Sequence, residues 1–520
     1  MNHDIAQRLA DAQQKFTAGH FDGAAALLHD ILSIEPDHNE ALEALGYVAA
    51  KQGDYARAAD YAMRAAQPAS TNAQQLHFAA HLCQMAGRHA DAVMLFDRVL
   101  AAYPDHAEAL HGAAMSLVQT GDHEGALQYL ARLTQRYPRS AEAHYNRGTL
   151  LGQMERHEEE LAAYRQAIAL KPNFVRAHVN LGVALRDLHR FDEALQQFKK
   201  ALSIDPNDAG ARTNRAQTNL LLGEFEHGWR EYEWRWLDGT MSHGLPDATL
   251  WTGKQPLEHK TVLVHGEQGY GDTLQFIRFV DRLSAKGARV IVRVQDALLP
   301  LLHGYPGAAD VIGETAPLPA FDYHIPMLSL GFALKIREAH FVGESPYVHA
   351  DQQWVEQWDD VFRQGGTRLR VGIVWSGSRT HLNDRNRSIP LEQLSPLFDA
   401  NAQFVSLVKD VRDIDRAGID ELVQRGVLRD VSDRLTTFAD TAALVTQLDL
   451  VISVDTAVAH LAGALSKPVW LALPFTPDWR WQLNRDDSPW YPHMRLFRQS
   501  KRNDWSDVVQ SLQAALEARA

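Results

Sequence analysis

Asp455, Thr456 and His460, within Leu448–Leu473 (LDLVISVDTAVAHLAGALSKPVWLAL), have the types and spacing best suited to chemistry. Four apart on a helix, Thr456 and His460 share one face and lean toward the helix N-terminus. An acid, a hydroxyl, an imidazole and the backbone N–H groups of a helix start then converge on one small volume, a natural anion site. A plainer reading makes Asp455 or Thr456 an N-cap and His460 a core histidine. A second candidate is the turn Gly266–Asp272. Its Gly266, Gly269 and Gly271 let backbone pass close to a ligand, and Asp272 stands where a helix starts. The glycine order departs from the GxGxxG dinucleotide fingerprint.

The elements that must position these residues are strands and helices in alternation. Leu450–Val454 is a short apolar, β-branched run, hence a buried strand, and a second one, Val469–Leu473, follows Pro468. From Lys260 the rhythm is already βα. TVLVHG, ARVIVRV, ADVIGE and FDYHIPMLSL make a first wound domain, residues 259–350. RVGIVWSGS, QFVSLV, VLRDVS, LDLVISV and PVWLAL make a second, residues 368–500. Two such sheets leave a cleft, with Asp272 at the carboxyl end of a first strand aimed into it. The helix at 504–520 is expected to cross back to the first domain. The loop FTPDWRWQLNRDDSPWYP follows the last expected strand, with Trp479 and Trp481 assigned to domain packing ahead of stacking on a sugar or base.

The first half repeats. Gly19, Gly53, Gly87, Gly121, Glu155, His189 and Gly223 are each 34 apart. Five positions on come Ala24, Ala58, Ala92, Ala126, Glu160, Ala194 and Gly228, mostly small, where two helices approach closely. Pro104, Pro138, Pro172 and Pro206 keep the same step, with Pro36 in phase and Pro68 displaced by two. Each unit reads helix, turn, helix, proline. With Leu-Gly at 45–46 and 181–182, the pattern resembles tetratricopeptide repeats over residues 3–236, whose stacks bury a continuous core and leave a concave groove. The last unit, GEFEHGWREYEWRWLDG, places Trp229, Tyr232, Trp234 and Trp236 on one helix. That aromatic seam is expected to dock the solenoid on the next domain and aim its groove there, with residues 237–258 as the connecting segment.

Asn146, Asn180 and Asn214 recur at one place in three successive repeats, where earlier units carry Ala44, Phe78 and Gly112. Amides in a groove can donate to and accept from the backbone of an extended peptide. The pattern resembles the asparagine ladder of O-linked N-acetylglucosamine transferases, which holds acceptor polypeptides.

Bulk properties narrow the class. The 520 residues carry 45% hydrophobic and 22% charged residues, values of ordinary globular domains. A net charge of −13 argues against binding nucleic acid or anionic membranes. The single cysteine, Cys83, excludes an intrachain disulfide and a cysteine metal cluster and fits a reducing compartment. A polar start, MNHDIAQRLADAQQKF, and no run near the roughly 20 apolar residues of a membrane helix predict a cytoplasmic protein.

GEQGYGDTLQF followed by SVDTAVAHLAGALSKPVWLAL resembles the lipopolysaccharide heptosyltransferases over residues 260–500. The resemblance implies a two-Rossmann (GT-B) glycosyltransferase fold behind an α-solenoid, and a metal-independent reaction; no DxD motif lies in a suitable loop. It makes Asp272, with Gly271 beside it, the catalytic base. Asp455, Thr456 and His460 match the DTxxxH loop that holds the nucleotide diphosphate and ribose. The family has Gly where this chain has Ala457. WSGSRTHLNDRNRSIP, with Ser376 and Gly377, lies where the family has a phosphate loop with a lysine; Arg385 or Arg387 would supply the charge here. Lys409 is a candidate for the ribose or base. The implied activity is transfer from a nucleotide sugar, a substrate with no further cofactor, to Ser or Thr of a protein presented by the solenoid. Two alternatives stay open: a glycan or lipid-linked acceptor, and a non-catalytic scaffold.

Overall fold

The computed structural model describes residues 2–66, 72–237, 242, 244–341, 345–362, 368–381 and 383–519. Pro68 lies outside the described residues. The chain divides into two compact units: one runs to Arg186 and includes Asp192–Pro206, the other comprises Asp187–Phe191 and everything from Asn207 onward.

The first unit is built of antiparallel helical hairpins, from Asn2–Thr17 with Phe21–Ile34 through Val175–Asp187 and Phe191–Ile204. The 34-residue period has a backbone cause. Gly19, Gly53, Gly87, Gly121 and Gly223 all sit at φ between 73° and 85°, where a Cβ is disfavoured, and Glu155 and His189 occupy the same turn at φ 60° and 58°. Within hairpins, small residues face aromatic ones. A Cβ on Gly148 would lie 2.8 Å from Tyr164, and one on Gly182 2.5 Å from Phe198. Such contacts at the Ala and Gly positions explain why volume there repeats with the turn.

The second unit holds two all-parallel sheets. β1 (Thr261–His265), β2 (Arg289–Val294), β3 (Asp310–Gly313) and β4 (Tyr323–Pro326) lie in the order β3-β2-β1-β4. β5 (Leu369–Val374), β6 (Ala402–Ser406), β7 (Leu428–Arg429), β8 (Leu450–Val454), β9 (Val469–Leu473) and β10 (Met494–Arg498) lie in the order β10-β9-β8-β5-β6-β7. β5 and β8 are thus neighbours, and the order reverses between them, which is where an open parallel sheet leaves a crevice at its carboxyl edge.

Three features differ from the sequence expectations. β10 was not foreseen; MRLFR offers only a partly apolar run. The C-terminal helix, Ser506–Glu517, packs on Leu391–Asp399 and β10, so it stays with the second sheet instead of crossing to the first. The last hairpin, Ala209–Leu221 with Phe225–Tyr232, belongs to the compact unit of the sheets, although the repeat pattern includes it. Its aromatics account for this. Trp229 lies edge-on to Phe276 and Trp479 at 5.8 and 5.1 Å, and its indole N–H donates to the Ile336 carbonyl. Trp234 and Trp236 instead stack under Arg212 and Arg235.

Candidate functional site

A cavity of about 580 Å3 opens at the carboxyl ends of β1, β5 and β8. Its lining includes Gly271, Asp272, Ser376, Gly377, Arg387, Lys409, Asp455, Thr456 and His460, so nine residues singled out from sequence face one volume. Arg385 is not among them. It lies two residues from Arg387 on the short helix Asp384–Arg387 and lines a neighbouring cavity with Arg379, Glu392 and Arg425. Of the two arginines, Arg387 lines this cavity and Arg385 the neighbouring one.

Close packing of two helices builds the centre of the site. Tyr270–Phe276 approaches Ala457–Ala464 through Gly271; a Cβ there would stand 2.7 Å from Cδ2 of His460 and 3.5 Å from Cα of Ala457. His460 is fixed by a 2.8 Å hydrogen bond between Nδ1 and the Tyr491 hydroxyl and by stacking on Trp481 at 5.1 Å. Burial pushes its pKa well below the ordinary value, so the ring is neutral at pH 7. Thr456 is the N-cap residue of its helix, with its hydroxyl 3.2 Å from that of Ser453. The helix starts at Ala457 and Val458 and at Thr437 and Phe438 both line the cavity, which places positive helix ends there.

The charges are mixed: Arg480 is buried, Asp272, Asp455, Asp478 and Arg387 are half-buried, and Lys409 is exposed. Asp272 accepts the Gly269 N–H at 2.7 Å through Oδ2 and a hydrogen bond from Arg480 through Oδ1. Arg480 also donates to Asp478 at 2.8 Å and to Gln275 at 2.7 Å, and its guanidinium lies over the Trp479 ring. Burial raises the pKa of Asp272, with Arg480 pulling the other way; burial and Asp478 likewise raise that of Asp455. Arg387 donates to the Asp455 carbonyl at 2.8 Å and crosses above Gly377, where a Cβ would meet Nη2 at 2.6 Å. Lys409 donates to the Thr436 carbonyl at 2.8 Å. Trp479 and Trp481 are buried at 4% and 0% exposure, so they pack the loop, and it is Arg480 between them that reaches the cavity. Sequence reasoning missed Arg480; the Asp-Trp-Arg-Trp run was its only signal. Among the described residues, no group of three or more His, Cys, Asp or Glu side chains is placed to hold a metal ion.

The three asparagines have different local surroundings. Asn146 lines a cavity of about 790 Å3 in the first unit, beside His77, His81, Glu108, His111 and Tyr145. Asn180 donates to the hydroxyls of Tyr145 and Tyr164 at 3.1 and 3.4 Å. Asn214 donates to the Gly210 carbonyl of its own helix at 2.9 Å. Of the three, only Asn146 lines this cavity.

Tetratricopeptide repeat models match residues 9–73, 85–148, 141–174 and 175–208, so the N-terminal region of about 210 residues is a tetratricopeptide-repeat solenoid, and a region with parallel sheets follows it. The chain is also similar to Protein FlbA of Caulobacter vibrioides, at 24% identity over 334 residues. That match takes in 58% of this chain and 54% of FlbA, so the chain spans about half the length of that relative. Among solved structures, MamA from Desulfovibrio magneticus RS-1 is 21% identical, covering 33% of this chain and 96% of its own, with a TM-score of 0.30. YrrB, described as a TPR protein with an unusual peptide-binding site, is 19% identical over 35% of this chain and 95% of its own, TM-score 0.30. A repeat protein from Parabacteroides merdae is 17% identical over 46% and 94%, TM-score 0.37. Among the described residues, no helix is long and apolar enough to cross a membrane.

Proposed function

We propose that the chain is a glycosyltransferase of the GT-B type that moves a sugar from a nucleotide sugar to a hydroxyl acceptor. One observation carries this reading: Asp272 lines the same 580 Å3 cavity as Asp455, Thr456, His460, Arg387 and Arg480. In the proposed reaction the acceptor hydroxyl loses its proton to Asp272 and attacks the anomeric carbon. The bond from that carbon to the diphosphate oxygen breaks with its electron pair leaving on the nucleoside diphosphate. Burial raises the basicity of Asp272, and the Arg480 guanidinium acts in the opposite direction. Arg387, Arg480, Lys409 and the helix start at Ala457 supply positive charge for the leaving group.

The acceptor is proposed to be Ser or Thr of a protein held by the solenoid, with Asn146 and its cavity the place of contact. The internal bonds of Asn180 and Asn214 favour a second reading, in which the acceptor is a glycan or a lipid-linked sugar and the solenoid recruits a protein partner. The test is release of nucleoside diphosphate from a panel of nucleotide sugars. Asp272→Asn should abolish release while binding persists. Undiminished release removes Asp272 as the base, and no release or binding by the parent protein returns the chain to a scaffold.

A further inference from the structure

The turn that carries Asp272 and the loop that carries its partner Arg480 both pack on the last helical hairpin. At its end, in the 3-10 turn Glu233–Trp236, Arg235 is 3% exposed and its fork is fully engaged. Nε and Nη2 donate to the two carboxylate oxygens of Glu267 at 2.9 and 3.0 Å, Nη2 also to Ser329 at 2.9 Å, and Nη1 to Glu233 at 3.0 Å and the Tyr232 carbonyl at 2.9 Å. Glu267, 2% exposed, also accepts the Leu328 N–H at 2.7 Å. It stands at the start of the glycine-rich turn, five residues before Asp272. The next residue, Gln268, donates to the Tyr232 hydroxyl at 3.3 Å, and its carbonyl accepts from Gln295 at 3.0 Å, so the turn is held from both sides. On the other flank, Trp479 beside Arg480 meets Trp229 and Tyr232 at 5.1 and 6.4 Å.

A buried ion pair contributes little net stability, because the cost of removing two charges from water offsets their attraction. Its geometric effect is larger: a bidentate fork fixes both distance and plane. We propose that Arg235 is a positioning residue for Asp272, which anchors Glu267 and thereby fixes where the Asp272 turn meets Arg480. The last hairpin is then part of the working site and not only the end of a repeat array. This rests on reading Asp272 as the base.

Hydrogen–deuterium exchange on the 520-residue chain tests it without any ligand, so failure of the glycosyl-transfer reading would leave the outcome readable. Arg235→Met and Glu267→Gln should speed exchange about tenfold or more in segments 266–276 and 477–491. Segment 369–406 should keep the parental rate, and Arg235→Lys, which keeps the charge but not the fork, should fall between. If Arg235→Met does not fold, Glu267→Gln and Arg235→Lys carry the test. Where a donor is in hand, Arg235→Lys should lower kcat by a larger factor than it weakens affinity for the nucleoside diphosphate. Acceleration confined to 209–236, equal acceleration in every segment, or kcat and affinity falling by the same factor would overturn the proposal.

Discussion

Replacing Gly271 by alanine puts a methyl group 2.7 Å from Cδ2 of His460 and 3.5 Å from Cα of Ala457. The imidazole cannot swing aside, because Tyr491 holds Nδ1 and Trp481 covers its face. The alternative is for the helices Tyr270–Phe276 and Ala457–Ala464 to separate by most of an ångström. Overpacking of this kind costs about 1–3 kcal/mol. Alanine recovers at most about 1 kcal/mol of helix propensity over glycine, and less in a first turn. The balance is a destabilisation of about 1–2 kcal/mol, together with a shift of the helix start that lines the cavity. Urea denaturation reads the first effect and calorimetric titration with nucleoside diphosphates the second. Gly269→Ala is the comparison: φ is −73° and its Cβ would meet only a carboxylate oxygen of Asp272, at 3.3 Å, so the expected loss is that of alanine against glycine at a helix N-cap, about 0.5–1 kcal/mol. A Gly271→Ala protein as stable as its parent, with unchanged affinity, would refute the reasoning that this contact sets the site.

Three further outcomes follow from the same geometry. Gly377→Ala should change the unfolding free energy little, because the closest obstructing atoms are the end of Arg387, with Cγ2 of Thr456 next at 3.3 Å, yet weaken nucleoside diphosphate binding by displacing that arginine from the Asp455 carbonyl; denaturation and titration calorimetry separate the two. Glu155→Gly should stabilise the solenoid by about 1 kcal/mol, since φ 60° favours glycine, read as a raised denaturation midpoint. His460 has a folded-state pKa well below its unfolded value, so the unfolded chain binds the extra proton and stability falls as pH drops below the ordinary histidine range. His460→Gln should flatten that fall by up to about 1.4 kcal/mol per pH unit in denaturation curves compared between pH 7 and 5.

What was legible in the sequence is what local backbone chemistry enforces. The turn at Gly19, Gly53, Gly87, Gly121 and Gly223 needs positive φ, and that requirement writes the 34-residue period. Buried parallel strands need apolar runs, and β1, β5, β8 and β9 announce themselves as such, while MRLFR of β10, with two arginines, does not. The Asp-Thr…His spacing was visible because it belongs to one strand and the helix after it. Arg480 was not, because what gives it meaning is an ion pair with Asp272, 208 residues earlier in the chain. Arg385 and Arg387 differ only in which side of a four-residue helix they occupy, and the asparagines at 180 and 214 only in neighbours that pattern alone does not specify. The place of the last hairpin with the sheets depends on Trp229 finding Phe276 and Trp479, again a long-range choice.

The proposed transfer reaction requires that the cavity between Asp272 and Asp455 be a nucleotide-sugar site. Equilibrium dialysis of the 520-residue chain against a panel of labelled nucleotide sugars measures that directly. Saturable binding of one donor, competed by its nucleoside diphosphate and weakened by Arg387→Ala, is the predicted result; no binding of any donor, or binding indifferent to Arg387, would contradict it.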